Sequence, residues 1–269
     1  LFRTALRHNP AFKEAYYGLG MVYGYQNKYQ IAHQYLSKAI KLDATFLTGH
    51  KWRGIMNDEL GDKEKALDDF SHAIELDPEN SDLYVRRARV LTKQEKYDDA
   101  LQDLLRAKDL NPKLARIDFY KGNIYQTLDH QRQAIASYTA ALYLNPSYPE
   151  ALVARARSHE LLKQMESARR DFAEAISLAK YQPERMLRAR ASFHARHGDY
   201  TLAWKDYEAA RKANPRDFKS WWGEADALSK LGDTIQALSA VNEYQKLRPK
   251  KEDKVLNLKK ALREKVGYF

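Results

Sequence analysis

Residues 81–114 read SDLYVRRARVLTKQEKYDDALQDLLRAKDLNPKL, and the plan of the whole chain is contained in them. Tyr84, Ala88 and Leu91 fall at helical spacing, as do Tyr97, Ala100, Leu101, Leu104 and Ala107. The segment closes on Leu110-Asn111-Pro112. Proline disfavours helical geometry in the residue before it, so a helix boundary is set there. Two amphipathic helices of this length, joined by a short break, make a helical hairpin. Strand signals are absent.

The same pattern returns along the sequence. Alanine recurs as Ala32, Ala66, Ala100, Ala134, Ala168, Ala203 and Ala237, in steps of 34 residues with a single step of 35. Twelve residues before each stands a small residue: Gly20, Gly54, Ala88, Gly122, Ala156, Ala191 and Ala225. Seven residues after each comes Ala39, Ala73, Ala107, Ala141, Ala175 or Ala210, with Tyr244 as the exception. A bulky column lies between: Leu36, Phe70, Leu104, Tyr138, Phe172, Tyr207 and Val241. Small residues let helix backbones approach, and the bulky residue fills the space between them. One hairpin cannot bury its apolar face alone, but stacked neighbours can. Polar breaks such as Gly61-Asp62, Gly198-Asp199 and Gly232-Asp233 supply the turns inside the hairpins, where glycine tolerates a left-handed helix end.

This register resembles the tetratricopeptide repeat family over nearly the whole chain. The resemblance implies an all-α, right-handed α-α superhelix, a single solenoid over 1–269. Residues 1–12 read as the end of a truncated repeat. Seven complete repeats follow at 13–46, 47–80, 81–114, 115–148, 149–183, 184–217 and 218–251. Residues 252–269 read as a capping helix, with Val255, Leu256, Leu258 and Leu262 on its apolar face. Ala44 and Lys180 stand where a terminal proline is usual, and the fifth repeat holds one extra residue near Tyr181 to Pro183.

The resemblance also places the second, fifth, ninth, twelfth and thirteenth residues of each repeat on a concave surface. Candidate groove residues are then Arg89, Lys93, Arg116, Phe119, Asn123, Arg157, Arg185, Arg188, Arg196, Lys219 and Trp222, with Lys230 also basic and Asp82, Glu150, Glu160 and Asp226 opposing. Nearer the N-terminus the same positions hold Glu14, Asp58 and Glu59 beside Tyr17, Tyr25 and Lys51. Arginines suit bidentate contacts to carboxylates or phosphates, and aromatics suit the side chains of an extended or helical peptide. Long basic side chains are otherwise the ordinary solvated surface of a solenoid. Trp221, at the fourth position, reads as core. The carboxylate-clamp pattern of the family is not met: Lys51 is followed by Ile55 rather than Asn, and Ala154 stands where Asn is required after Asn123.

Charge points the same way. The formal net charge is +10, yet 13–80 carries 8 basic and 11 acidic residues while 81–217 carries 25 and 18. Such a tilt steers acidic partners. The expected partner is another protein with an acidic or phosphorylated segment. Alternatives are a nucleic-acid-binding repeat protein, disfavoured for want of a dense basic stripe or stacking platform, and a structural assembly module without a groove ligand. The exposed ends of a solenoid are where self-association is expected.

Catalytic chemistry is hard to place. With no cysteine there is neither thiolate nucleophile nor Cys-ligated metal. His159 and His194 share the eleventh position of their repeats, a packing site occupied by Tyr23 and Tyr125 elsewhere. No third ligand stands at a metal-binding spacing, and His159-Glu160 is not followed by a second histidine in register. No nucleophile elbow or phosphate-binding glycine loop appears. No cofactor, metal or catalytic residue is expected. Eighteen consecutive apolar residues occur nowhere, so no spanning helix is expected. The 31 aromatics spread along the chain argue against disorder. Leu1 opens inside an amphipathic segment without an initiator methionine or signal peptide, as in a fragment or processed chain. The cytoplasm is the preferred compartment, with the periplasm or another soluble one as the alternative.

Overall fold

A computed structural model describes residues 1–248, 252–265 and 267. Residues 249–251 of the seventh expected repeat and 266, 268 and 269 of the expected cap lie outside the described residues. Among the described residues there are sixteen α-helices and no strand. The chain divides into two compact units, Leu1–Leu144 and Asn145–Phe269.

The first unit holds α1 (Phe2–His8), α2 (Lys13–Tyr25), α3 (Tyr29–Leu42), α4 (Leu47–Leu60), α5 (Lys63–Leu76), α6 (Ser81–Lys93), α7 (Tyr97–Leu110), α8 (Ala115–Thr127) and α9 (Gln131–Leu144). From α2 onward they pair as hairpins α2–α3, α4–α5, α6–α7 and α8–α9, and α3, α5 and α7 pack on the first helices α4, α6 and α8 that follow them. First helices also touch, α2 with α4 and α6 with α8. The lone α1 buries no residue fully, but the Phe2 ring occupies the space where a Cβ on Gly18 would stand.

The second unit holds α10 (Pro149–Leu161), α11 (Met165–Leu178), α12 (Pro183–Arg196), α13 (Tyr200–Ala213), α14 (Phe218–Leu231), α15 (Thr234–Leu247) and α16 (Asp253–Lys265). Three hairpins stack in the same way, and α16 closes on α15. Val255 and Leu262 are buried there with Ala237, Ala240, Val241 and Tyr244, and Leu258 packs against them. Leu256, expected on that apolar face, is exposed.

The columns seen in the sequence are the core. All seven recurring alanines, Ala32 to Ala237, are fully buried. Small and bulky columns interlock: a Cβ on Gly20 would stand 2.7 Å from Leu36 Cγ, and one on Gly122 would stand 2.5 Å from Tyr138 Cε1. Between hairpins, Asp43, Asn111, Asn145 and Asn214 each accept a hydrogen bond from the backbone N–H two residues on, at 2.9–3.3 Å. This Asx turn reverses the chain before the next helix. The fifth repeat has Ala179 at that position and no such acceptor; its link to α12 instead carries the extra residue and a left-handed Gln182 (φ 53°).

Candidate functional site

In the first unit, the expected groove residues come from the first helices α4, α6 and α8. They do not stand free. Lys93 is ion-paired with Asp58, and Arg89 reaches the same carboxylate at 3.8 Å while its guanidinium lies 5.7 Å from the centre of the Tyr120 ring. Asp82 is held from three sides, by Lys51 at 2.6 Å, Arg86 at 2.8 Å and Arg116 at 2.6 Å. Burial alone would raise the Asp82 pKa, but hydrogen bonds from Arg86 and Lys51 outweigh it and hold the carboxylate down at about 2. Arg116 Nε is buried and, among the described residues, donates to nothing. Phe119 lies 6.0 Å from the Tyr138 ring, and Asn123 Oδ1 accepts from the Tyr138 hydroxyl at 2.9 Å, so these two share one neighbour.

The depth of these charges decides what the surface presents. The side chains of Asp58 and Asp82 are 8% and 17% exposed, whereas the five cations around them range from 24% to 45%. Two carboxylates lie beneath a layer of five cations. The layer keeps a net charge of about +3, and its side chains are already held in place by the acids below.

Towards the N-terminus, α2 and α4 carry an aromatic surface. Tyr25 is 72% exposed and meets Trp52 edge to face, with ring centres 5.7 Å apart. Tyr17, Trp52 and Ile55 pack on the buried cluster of Ala32, Leu36 and Met56. Burial raises the pKa of the Tyr17 hydroxyl against the effect of a hydrogen bond with Trp52. Glu14 and Glu59 are exposed on the same two helices.

The second unit presents three kinds of site. Arg157, Arg185 and Lys219 are exposed. Arg188 Nη1 donates to Asp217 Oδ1 at 2.6 Å, and Arg196, also exposed, forks onto both oxygens of Glu160 at 2.9 and 2.7 Å. His197 Nε2 lies 3.0 Å from the same Glu160. Burial would raise the Glu160 pKa, but Arg196 and His197 together lower it. Trp222 is half-buried, with its ring centre 5.7 Å from that of Tyr244 and Lys254 over its face at 5.2 Å. It therefore packs between the last hairpin and α16, in addition to whatever face it shows to solvent. Trp221 packs on the same core, with Arg211 stacked at 4.5 Å and its Nε1 donating to the Pro215 carbonyl at 2.9 Å.

Reading by position placed Asp82 and Glu160 in the groove without pairing them to these cations, and did not name Asp217. Asp217 is the last residue of the sixth repeat, immediately before α14, and Asp58 was grouped with the N-terminal part of the groove. The signal was available in the separations: Asp58 to Lys93 is 35 residues, Asp82 to Arg116 is 34 and Glu160 to Arg196 is 36, each close to one repeat.

His194 is buried, 3.9 Å from both Asp199 and Asp206, and burial lowers its pKa. His159 Nδ1 lies 2.6 Å from Gln164 Oε1. Among the described residues no group of three or more His, Cys, Asp or Glu side chains is arranged to hold a metal ion. No described helix is long and apolar enough to cross a membrane.

Profiles of the tetratricopeptide repeat match residues 13–46, 53–80, 70–102, 121–185 and 188–252. The chain belongs to the tetratricopeptide repeat family. It is 28% identical over 186 residues to tetratricopeptide repeat protein 6 of Homo sapiens, a match covering 68% of this chain and 35% of that protein. It is 29% identical over 144 residues to anaphase-promoting complex subunit 3 of Schizosaccharomyces pombe, covering 54% of this chain and 22% of that subunit. The chain thus spans about a third or less of these relatives. Among solved structures, yeast Tom70 superimposes on 98% of this chain and 57% of its own with a TM-score of 0.81, at 19% identity, a likeness of fold. Family membership makes the chain a repeat scaffold of the kind used for protein–protein interaction.

Proposed function

We propose that the chain is a non-catalytic scaffold whose first helices hold an acidic or phosphorylated segment of a partner protein. One observation supports this reading above others: in the first unit, five cations lie over two more deeply placed carboxylates. A ligand anion there meets side chains whose freedom is already restricted, and it neutralises charge that the acids below leave uncompensated. Arg89, Lys93 and Arg116 provide contacts in this unit, with Phe119 and Asn123 beside them. Arg157, Arg185, Arg188, Arg196 and Lys219 offer the corresponding basic positions in the second unit, and Trp222 an apolar one. Exposure and salt screening keep each basic contact modest, so affinity comes from several acting together.

The test uses synthetic peptides and the full chain. A peptide with a run of glutamates, its phosphoserine counterpart and a glutamine control are titrated at two ionic strengths. The acidic peptides should bind more tightly than the control and weaken as salt rises. Arg89→Gln with Lys93→Gln should reduce that binding several-fold, as should Arg185→Gln with Lys219→Gln if the second unit takes part. A circular dichroism spectrum checks that each variant is folded. Equal binding of all three peptides defeats the reading. Tighter, length-dependent binding of single-stranded oligonucleotide than of any peptide would replace it with a nucleic-acid role.

A further inference from the structure

We infer that the surface formed by Tyr25, Trp52, Tyr17 and Ile55 is an anchor site for one bulky apolar side chain of the same acidic segment. The inference rests on the proposed acidic ligand and names a second recognition element within it. Two observations join the surfaces. The first is continuity along α4. Lys51 belongs to the cationic layer through Asp82, Trp52 and Ile55 belong to the aromatic surface, and Asp58 returns to the layer beneath Lys93. Lys51, Ile55 and Asp58 are four and three residues apart, so they follow one face of the helix, with Trp52 beside it and three residues from Ile55. A ligand lying across α6 and α8 reaches the aromatic surface simply by continuing onto α4.

The second observation is the state of the aromatics. Tyr25 is largely exposed at 72%, yet its ring rests edge-on against Trp52, which is itself seated on the buried cluster. A rigid ring pair with an open side gives a ligand side chain apolar area to bury at little ordering cost. Charge complementarity fixes what the anchor is. Glu14 and Glu59 are exposed on the two helices that carry the aromatics, so further acidic residues are repelled there. An uncharged aromatic or large aliphatic side chain is accepted. The ligand is therefore two-part, with an apolar residue over α2 and α4 and acidic residues over α6 and α8.

The experiment compares peptides carrying six glutamates with a tryptophan at one end, at the other end, or replaced by serine, each titrated against the full chain. One of the two tryptophan peptides should bind ~tenfold tighter than the serine peptide, the gain expected from burying an aromatic ring. Tyr25→Ser, at an exposed position where folding is not at stake, should remove most of that gain and leave the serine peptide's affinity unchanged. Salt should weaken the tryptophan and serine peptides alike, since the anchor is apolar.

Three outcomes overturn the inference. Equal binding of tryptophan and serine peptides, with Arg89→Gln and Lys93→Gln still weakening both, removes the anchor and leaves the acidic ligand standing. Binding of a tryptophan peptide whose glutamates are replaced by glutamine, undiminished by those substitutions, removes the acidic ligand itself. If Tyr25→Ser abolishes a concentration-dependent dimer and leaves every peptide affinity alone, the surface is a self-contact instead.

Discussion

Arg87 grips Asp103 with a two-point fork, Nε to Oδ2 at 2.8 Å and Nη2 to Oδ1 at 2.7 Å, across the two helices of one hairpin. The same fork, always sixteen residues apart, joins Arg53 to Asp69, Arg155 to Asp171 and Arg190 to Asp206. In the first unit it also ties hairpin to hairpin: Arg53 Nη1 donates to Ser37 Oγ at 3.4 Å and Arg87 Nη1 to Ser71 Oγ at 3.1 Å. All four aspartates are buried. The pairing raises the pKa of Arg87, Arg155 and Arg190, mainly through the hydrogen bonds to their aspartates.

A buried pair of this kind is costly to break and cheaper to replace. Asp103→Ala leaves the Arg87 guanidinium with Ser71 but without its carboxylate and should destabilise the first unit by about 3 kcal/mol. Arg87→Met with Asp103→Leu removes both charges and should recover more than half of that loss. Urea denaturation of the three variants checks it. Equal losses in the single and double variants would mean that the pair acts through packing alone.

The turn inside every hairpin adopts a left-handed conformation at the same place in the repeat. Glycine occupies it at Gly61, Gly198 and Gly232, with φ of 81–84°, but Asn27, Glu95, Asp129 and Lys163 hold φ of 59–62°. Asparagine and aspartate tolerate this region, whereas glutamate and lysine have no local hydrogen bond to offset the steric cost. Glu95→Gly and Lys163→Gly should each stabilise the chain by about 1 kcal/mol, while Gly61→Ala should destabilise it by a similar amount. Thermal melts of the separate variants would show the opposite signs.

These features differ in how legible they were in the sequence. The four apolar columns repeat with one residue type or one size, so their period exposed the hairpins, their stacking and the core. The glycine turns were visible because glycine marks a left-handed residue, but nothing in the chemistry of Glu95 or Lys163 announces that conformation. The Arg–Asp forks were overlooked because each partner, taken alone, reads as a solvated surface charge; only a column of charges at a fixed separation reveals them. For the candidate site, the repeat register named the cations and the acids Asp58, Asp82 and Glu160, but not which cation each acid holds or that Asp58 and Asp82 lie deeper. Trp222 illustrates the limit. Its register points to the concave face, while its contacts with Tyr244 and Lys254 depend on residues that do not repeat.

Gly122 and Tyr138 test the interlocking of columns. A methyl group on Gly122 would meet the Tyr138 ring at 2.5 Å, and that ring is fully buried and tied to Asn123 through its hydroxyl. Overpacking of this kind should cost Gly122→Ala about 2 kcal/mol. The third repeat already solves the same problem with Ala88 and Leu104 in the two columns, both buried. Gly122→Ala combined with Tyr138→Leu should therefore be more stable than Gly122→Ala alone. A double-mutant cycle by urea denaturation measures the coupling. Additive losses would show that the two columns do not constrain each other.

Asp82 gives the first unit a specific sensitivity to acid. Its carboxylate sits in the first turn of α6, beneath Lys51, Arg86 and Arg116. Burial opposes its charge, yet the hydrogen bonds from Arg86 and Lys51 leave its pKa at about 2, below the ordinary value of 3.8. A folded-state pKa lowered in this way means that the unfolded chain binds the proton first. The stabilisation is complete above about pH 5, declines as the pH falls through 4, and is lost near pH 2. A shift of this size corresponds to on the order of 2 kcal/mol. Asp82→Asn should lose about that much at neutral pH, because three cations are left facing one another, and should match the parent chain near pH 2. Urea denaturation of both proteins between pH 7 and about pH 2 tests it. Parallel stability curves, with no convergence at low pH, would mean that Asp82 contributes through its hydrogen-bonding shape and not through its charge.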